Sequence, residues 1–119
     1  MNGKISRASA EHYIWGQQCD GWHLVKSPEL SIIEERMPPG TFEVSHYHER
    51  SRQFFRVLQG ELQILVQGTP VSLAEGEGLE IAPGTVHQAR NTSSEEVRFL
   101  VVSQPPSHGD RVVIGKLES

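Results

Sequence analysis

Apolar and polar residues alternate along most of this chain with a period of two, and the alternation is cut at short intervals by Gly, Pro and Asn. That period marks strands with one buried face, and no apolar stripe of helical spacing is long enough to support a bundle. The predicted strands are LSIIEERM (30–37), TFEVSHYH (41–48), QFFRVL (53–58), ELQILV (61–66), VSLA (71–74), LEIA (79–82), VHQAR (86–90) and VRFLVVS (97–103). PPG, ERSR, Gly60, QGTP, EGEG, PGT and NTSSEE punctuate them. Many short strands at close spacing imply an all-β sandwich or small barrel.

Alternate residues of a strand share a face, so parity predicts what points inward. The inward sets are Gln53, Phe55 and Val57, then Leu62, Ile64 and Val66, then Val97, Phe99 and Val101. In 41–48 the even positions, Phe42, Val44, His46 and His48, form the apolar face that the two histidines continue, leaving Thr41, Glu43, Ser45 and Tyr47 outside. Phe42, Phe55 and Phe99 are accordingly candidates to line a pocket.

The whole chain, 1–119, reads as a single domain, since this length supports one hydrophobic core. Residues 1–28 show no clear period and are read as a leading strand and loop laid over the barrel, with Trp15 and Trp22 as packing residues in preference to a lid edge. Residues 29–103 make the barrel core. In the tail, 104–119, the apolar run Val112 to Ile114 either completes the protein's own sheet or pairs with a second subunit.

The formal net charge of −4 and the absence of a Lys/Arg cluster argue against nucleic acid as a partner. No window matches the apolar run that crosses a bilayer, and the first residues lack the apolar stretch of a secretory signal. A cytoplasmic location is the expectation. The single cysteine, Cys19, fits a reducing compartment and is read as a packed thiol without a role.

Chemistry gathers around HYHERSRQ, His46 to Gln53. Side chains at i and i+2 of a strand point the same way, so His46 and His48 can offer two ring nitrogens to one metal ion. Gln53 opens the next strand with inward parity, and His87 follows the tight turn APGT. His46, His48, Gln53 and His87 form a candidate metal site of three imidazoles and one amide. An alternative has Gln53 orienting a histidine by hydrogen bonding, leaving three ligands. His12, His23 and His108 carry no partner spacing and are read as surface residues. Glu34 and Glu49 are the nearest carboxylates by sequence, and both are expected to face solvent; Arg56, Arg90 and Arg98 look outward by parity, toward solvent or a subunit contact.

The residues from Gly40 to Gly60, G-TFEVS-H-Y-H-ERSR-Q-FFRVLQ-G, resemble the first cupin motif, and Gly76 to Asn91, G-EGLEI-AP-G-TV-H-QAR-N, resemble the second. Two positions depart: Gln53 stands where the family has its ligand Glu, and Ala82 where it has Pro. The resemblance implies a small single-domain bacterial cupin, a double-stranded β-helix of jelly-roll type holding one divalent transition metal ion, whether Fe, Mn, Ni or Zn, and pairing as a homodimer. The fold hosts many activities, so function rests on the site.

Replacing Glu by Gln removes a negative charge and leaves a more electrophilic centre, which favours an anionic oxygen at an open coordination position. It also removes the most obvious proton acceptor. The favoured function is a metalloenzyme, dioxygenase or isomerase-like, acting on a small oxygen-rich or anionic molecule. The alternative is a non-catalytic binder or sensor in which the metal anchors an anion.

Overall fold

The computed structural model describes residues 3–107 and 109–114. Eleven strands follow one another among them: β1 (Glu11–Trp15), β2 (Cys19–Lys26), β3 (Ser31–Met37), β4 (His46–His48), β5 (Arg52–Gln59), β6 (Leu62–Val66), β7 (Thr69–Leu73), β8 (Gly78–Ile81), β9 (His87–Arg90), β10 (Val97–Gln104) and β11 (Arg111–Val113). They form a six-stranded sheet in the order β1-β2-β3-β10-β5-β8 and a five-stranded sheet in the order β11-β4-β9-β6-β7. The pairings are antiparallel in both. This is an all-β double-stranded β-helix. No helix among the described residues is long and apolar enough to cross a membrane.

Strand parity builds the core. Phe55, Val57, Val97, Phe99 and Val101 from one sheet meet Leu62, Ile64 and Ala89 from the other, all buried. Their outward neighbours on β5, Phe54, Arg56 and Leu58, are exposed. The β6–β7 turn is tighter than QGTP suggests, because Gln67 (φ 50°) and Gly68 (φ 84°) both take left-handed conformations and close a two-residue hairpin. Thr69 and Pro70 therefore join β7, an edge strand where a residue without N–H is tolerated.

Two motif residues act as staples. Gly60 has φ 90°, and a Cβ there would lie 2.6 Å from the Glu96 carbonyl oxygen. Buried Asn91 donates from Nδ2 to the carbonyls of Met37 and Glu95 and so ties β9 to the end of β3.

Three expectations need correction. The run 41–48 is not one strand: only Phe42 makes a bridge, to Arg90, before β4 begins at His46. A slip in the irregular part reverses parity, so Thr41 is buried and Glu43 turns inward, while Phe42 is 45% and Val44 42% exposed. Phe42 is therefore outside the histidine-lined cavity. His23 is buried, its ring centroid 5.2 Å from that of Tyr13, because β2 places it on the covered face. The segment before β3 does not lie over the molecule as a loop; β1 and β2 form a hairpin that extends the sheet.

Trp15 packs against the core and Trp22 is half-buried beneath Arg7. Cys19 is fully buried. Of the two readings of the tail, the structure takes the first: β11 pairs with β4 of its own sheet. His108 lies outside the described residues.

Candidate metal centre

The two sheets bring three histidines together. His46 and His48 share the inner face of β4, and His87, first residue of β9, is the register partner of His46. One ring nitrogen from each lies within 4.8 Å of the others, and all three side chains are buried. The ring centroid of His46 is 4.9 Å from that of His48 and 4.5 Å from that of His87.

Backbone carbonyls set two of the rings. His46 Nδ1 donates to the Val44 carbonyl at 2.8 Å and His87 Nδ1 to the Thr85 carbonyl at 2.9 Å. With the proton fixed on Nδ1, each ring presents the lone pair of Nε2, the arrangement that orients a metal-binding imidazole. His87 Nε2 is buried with no hydrogen-bond partner among the described residues. Burial holds the rings neutral, pushing His46 and His48 down to about 4 and His87 down as well. At His48 the charges of His46 and His87 add to that effect. A cluster of neutral, buried imidazoles suits a divalent transition metal.

Gln53, on β5, lines the same cavity as His46 and His48. Its Nε2 donates to Ser103 Oγ at 3.0 Å, while its Oε1 is buried without a partner among the described residues. A buried amide oxygen and a buried imidazole nitrogen left without partners are each costly unless something satisfies them. The donor set fits a metal ion.

The cavity has a volume of about 190 Å³, room for a small organic molecule. Phe55 lines it; Phe99 does not, being fully buried behind Phe55 with ring centroids 6.1 Å apart. Glu34 and Glu49 take no part. Glu34 faces outward between Arg7 and Arg98, and Glu49 sits in the exposed turn after β4. Arg56 is exposed, and Arg90 is held by Gln63 Oε1.

Two further carboxylates do line the cavity: Glu35, which sequence reasoning passed over, and Glu43, which parity had placed outside. Glu35 shares its face with Ile33 and Met37, a parity visible in LSIIEERM but masked by the adjacent Ile32. Tyr13, Gly21 and Glu35 form one cross-strand row over β1, β2 and β3. A Cβ at Gly21 would lie 2.3 Å from Tyr13 Cζ, so the missing side chain lets the phenol cross β2 and donate to Glu35 Oε2 at 3.4 Å. Burial first, and the charge of Glu43 second, push the Glu35 carboxyl up to about 8. Glu43 is raised by burial too, against the N–H of Ala89, which donates to its carboxylate at 2.9 Å.

The family described as "Cupin domain" matches residues 33–103, a span that runs from β3 through β10 and includes all three histidines. The chain belongs to the cupin family. An uncharacterized protein of Methanocaldococcus jannaschii is 25% identical over 93 residues, 77% of this chain and 74% of that one. A Streptomyces cyaneus protein named polyketide synthase CurC is 33% identical over 69 residues, 58% of this cupin but only 45% of the Streptomyces chain. Among solved structures, the polyketide cyclase RemF from Streptomyces resistomycificus superposes with a TM-score of 0.83 at 19% identity, covering 96% of this cupin and 86% of RemF. At that identity the likeness speaks for the fold.

Proposed function

We propose that this cupin is a metal-dependent enzyme of the isomerase type, which moves a proton next to a carbonyl group in a small molecule. One observation carries the reading: His46, His48 and Glu35, a carboxyl raised to about 8, line a single cavity, and His87 clusters with the two histidines. His46, His48 and His87 would hold the ion, with Gln53 Oε1 as fourth donor. A divalent ion held there would supply Lewis acidity, which makes the C–H bonds next to a polarised carbonyl more acidic.

The remaining work falls to the chain. Glu35, whose carboxyl is raised by burial and by the charge of Glu43, is the group in the lining that would give and take the proton. Tyr13 holds its carboxyl in place from across Gly21. Phe55, Ile33 and Val101 line the rest of the cavity with apolar surface that limits water.

The test is hydrogen–deuterium exchange next to the carbonyl of small ketones, aldehydes and 2-oxo acids, followed by proton NMR on protein loaded with Zn(II), Mn(II), Ni(II) or Fe(II). Exchange that chelation abolishes and Glu35→Gln suppresses is expected, without oxygen uptake. Oxygen consumption coupled to substrate loss, or exchange indifferent to chelation, contradicts it.

A further inference from the structure

Arg111 is absent from the sequence reading of the site, yet it lines the cavity and, among the described residues, is the one cationic side chain in the lining. Its aim follows from register. In an antiparallel pair, residues directly opposite project to the same side of the sheet, and Arg111 pairs with His48, whose ring lies on the inner face. Because β11 is an edge strand, Arg111 keeps contact with solvent while its side chain reaches the cavity.

Glu35 and Glu43 line the same cavity, but Arg111 makes no ion pair among the described residues. The neighbouring Asp110 is not available either: its carboxylate accepts from the backbone N–H groups of Glu49, Arg50 and Ser51. A guanidinium at the edge of a small cavity, with a fork of donors and no internal acceptor, matches a planar carboxylate.

We propose that Arg111 is the specificity residue of this cavity and that its substrates are small 2-oxo or 2-hydroxy acids, whose carboxylate meets Arg111 while the adjacent oxygen lies toward the histidine cluster. The inference rests on the reading of that cluster as a metal centre and names the substrate class for it. The limited volume excludes long-chain acids, and the lone cation suits one carboxylate better than two.

The probes are pyruvate and its neutral analogue pyruvamide, titrated calorimetrically into Zn(II)-loaded protein. Wild type is expected to prefer pyruvate by about tenfold or more, the order of one charge-assisted bidentate contact. Arg111→Gln is expected to lose that preference with pyruvamide binding unchanged, and Arg111→Lys to retain part of it. Arg56→Gln, on the exposed outer face of β5, serves as a control and keeps the full preference. Equal binding of the two probes by wild type, no pyruvate binding at all, or an Arg111→Gln protein that still prefers pyruvate overturns the proposal. Zinc content, measured on each sample, separates the two levels. Wild type that fails to retain zinc sinks the metal centre itself, whereas zinc-replete protein with no dependence on Arg111 sinks only the substrate assignment.

Discussion

Gln53 donates from Nε2 to Ser103 Oγ at 3.0 Å, and that single bond determines what the other end of the amide can do. With the nitrogen engaged, the oxygen is the group left unsatisfied in the cavity wall. Ser103 sits directly opposite Gln53 in the β10–β5 register, so the pair is built into the sheet. Ser103→Ala is expected to free the amide and weaken Zn(II) binding by about 10–100-fold, the usual cost of losing a partner that orients a ligand. Gln53→Glu is expected to do the reverse for the metal, because it adds a negative charge, and to weaken binding of anions at the same site. Competition against a chromophoric chelator reads both.

Glu35 makes a signed pH prediction. Its carboxyl titrates near 4.5 in the unfolded chain and at about 8 in the folded one, so between these values the unfolded state releases a proton that the folded state keeps. The group therefore costs stability progressively as pH rises from about 4.5 to about 8, and nothing below. Glu35→Gln removes the cost. In denaturant melts of metal-free protein the variant should gain on wild type across that window and differ little at pH 4. A gap that narrows with rising pH would contradict the assignment.

Gly21 is expected to matter for position more than for stability. Gly21→Ala puts a methyl where the Tyr13 ring now crosses β2, and the ring tip can swing away. Replacing a strand glycine itself relieves about 0.5–1 kcal/mol of backbone entropy cost, so the net change in stability is small. Glu35 loses the hydroxyl that favours its charged form, and its titration, followed by carboxyl NMR, moves further upward.

Asp110 secures the turn between β4 and β5 that sets His48 against Gln53. Its nearly buried carboxylate accepts three backbone N–H bonds. Burial raises its pKa, but the donors on Ser51, Arg50 and Glu49 outweigh that and hold it below the ordinary value. Asp110→Ala is expected to cost about 1–3 kcal/mol through orphaned donors. The folded-state pKa is depressed, so the contribution is present above the unfolded value and fades as pH falls through the folded one. Chemical denaturation at pH 7 and pH 3 checks both parts.

The histidines were readable because each sits at a position local rules determine: His46 and His48 two apart on a strand, His87 just past a Pro-Gly turn. The core strands were readable for the same reason, since alternation in ELQILV and VRFLVVS runs unbroken. Where an irregular stretch intervened, parity carried too far misled, and Phe42 and Glu43 exchanged sides. Arg111 was out of reach for a different reason. Its direction is set by pairing with His48 across most of the chain, and the tail around it shows no alternation. Tyr13 needed knowledge that Gly21 would stand between it and Glu35, a row of three strands that no local pattern contains.

X-ray absorption spectroscopy on Zn(II)-loaded protein tests the centre most directly. Three imidazole nitrogens at about 2.0–2.1 Å, one of them lost on His87→Ala, together with an oxygen scatterer, are the predicted result. Zinc held without imidazole scattering, or a spectrum that His87→Ala leaves unchanged, would contradict the account.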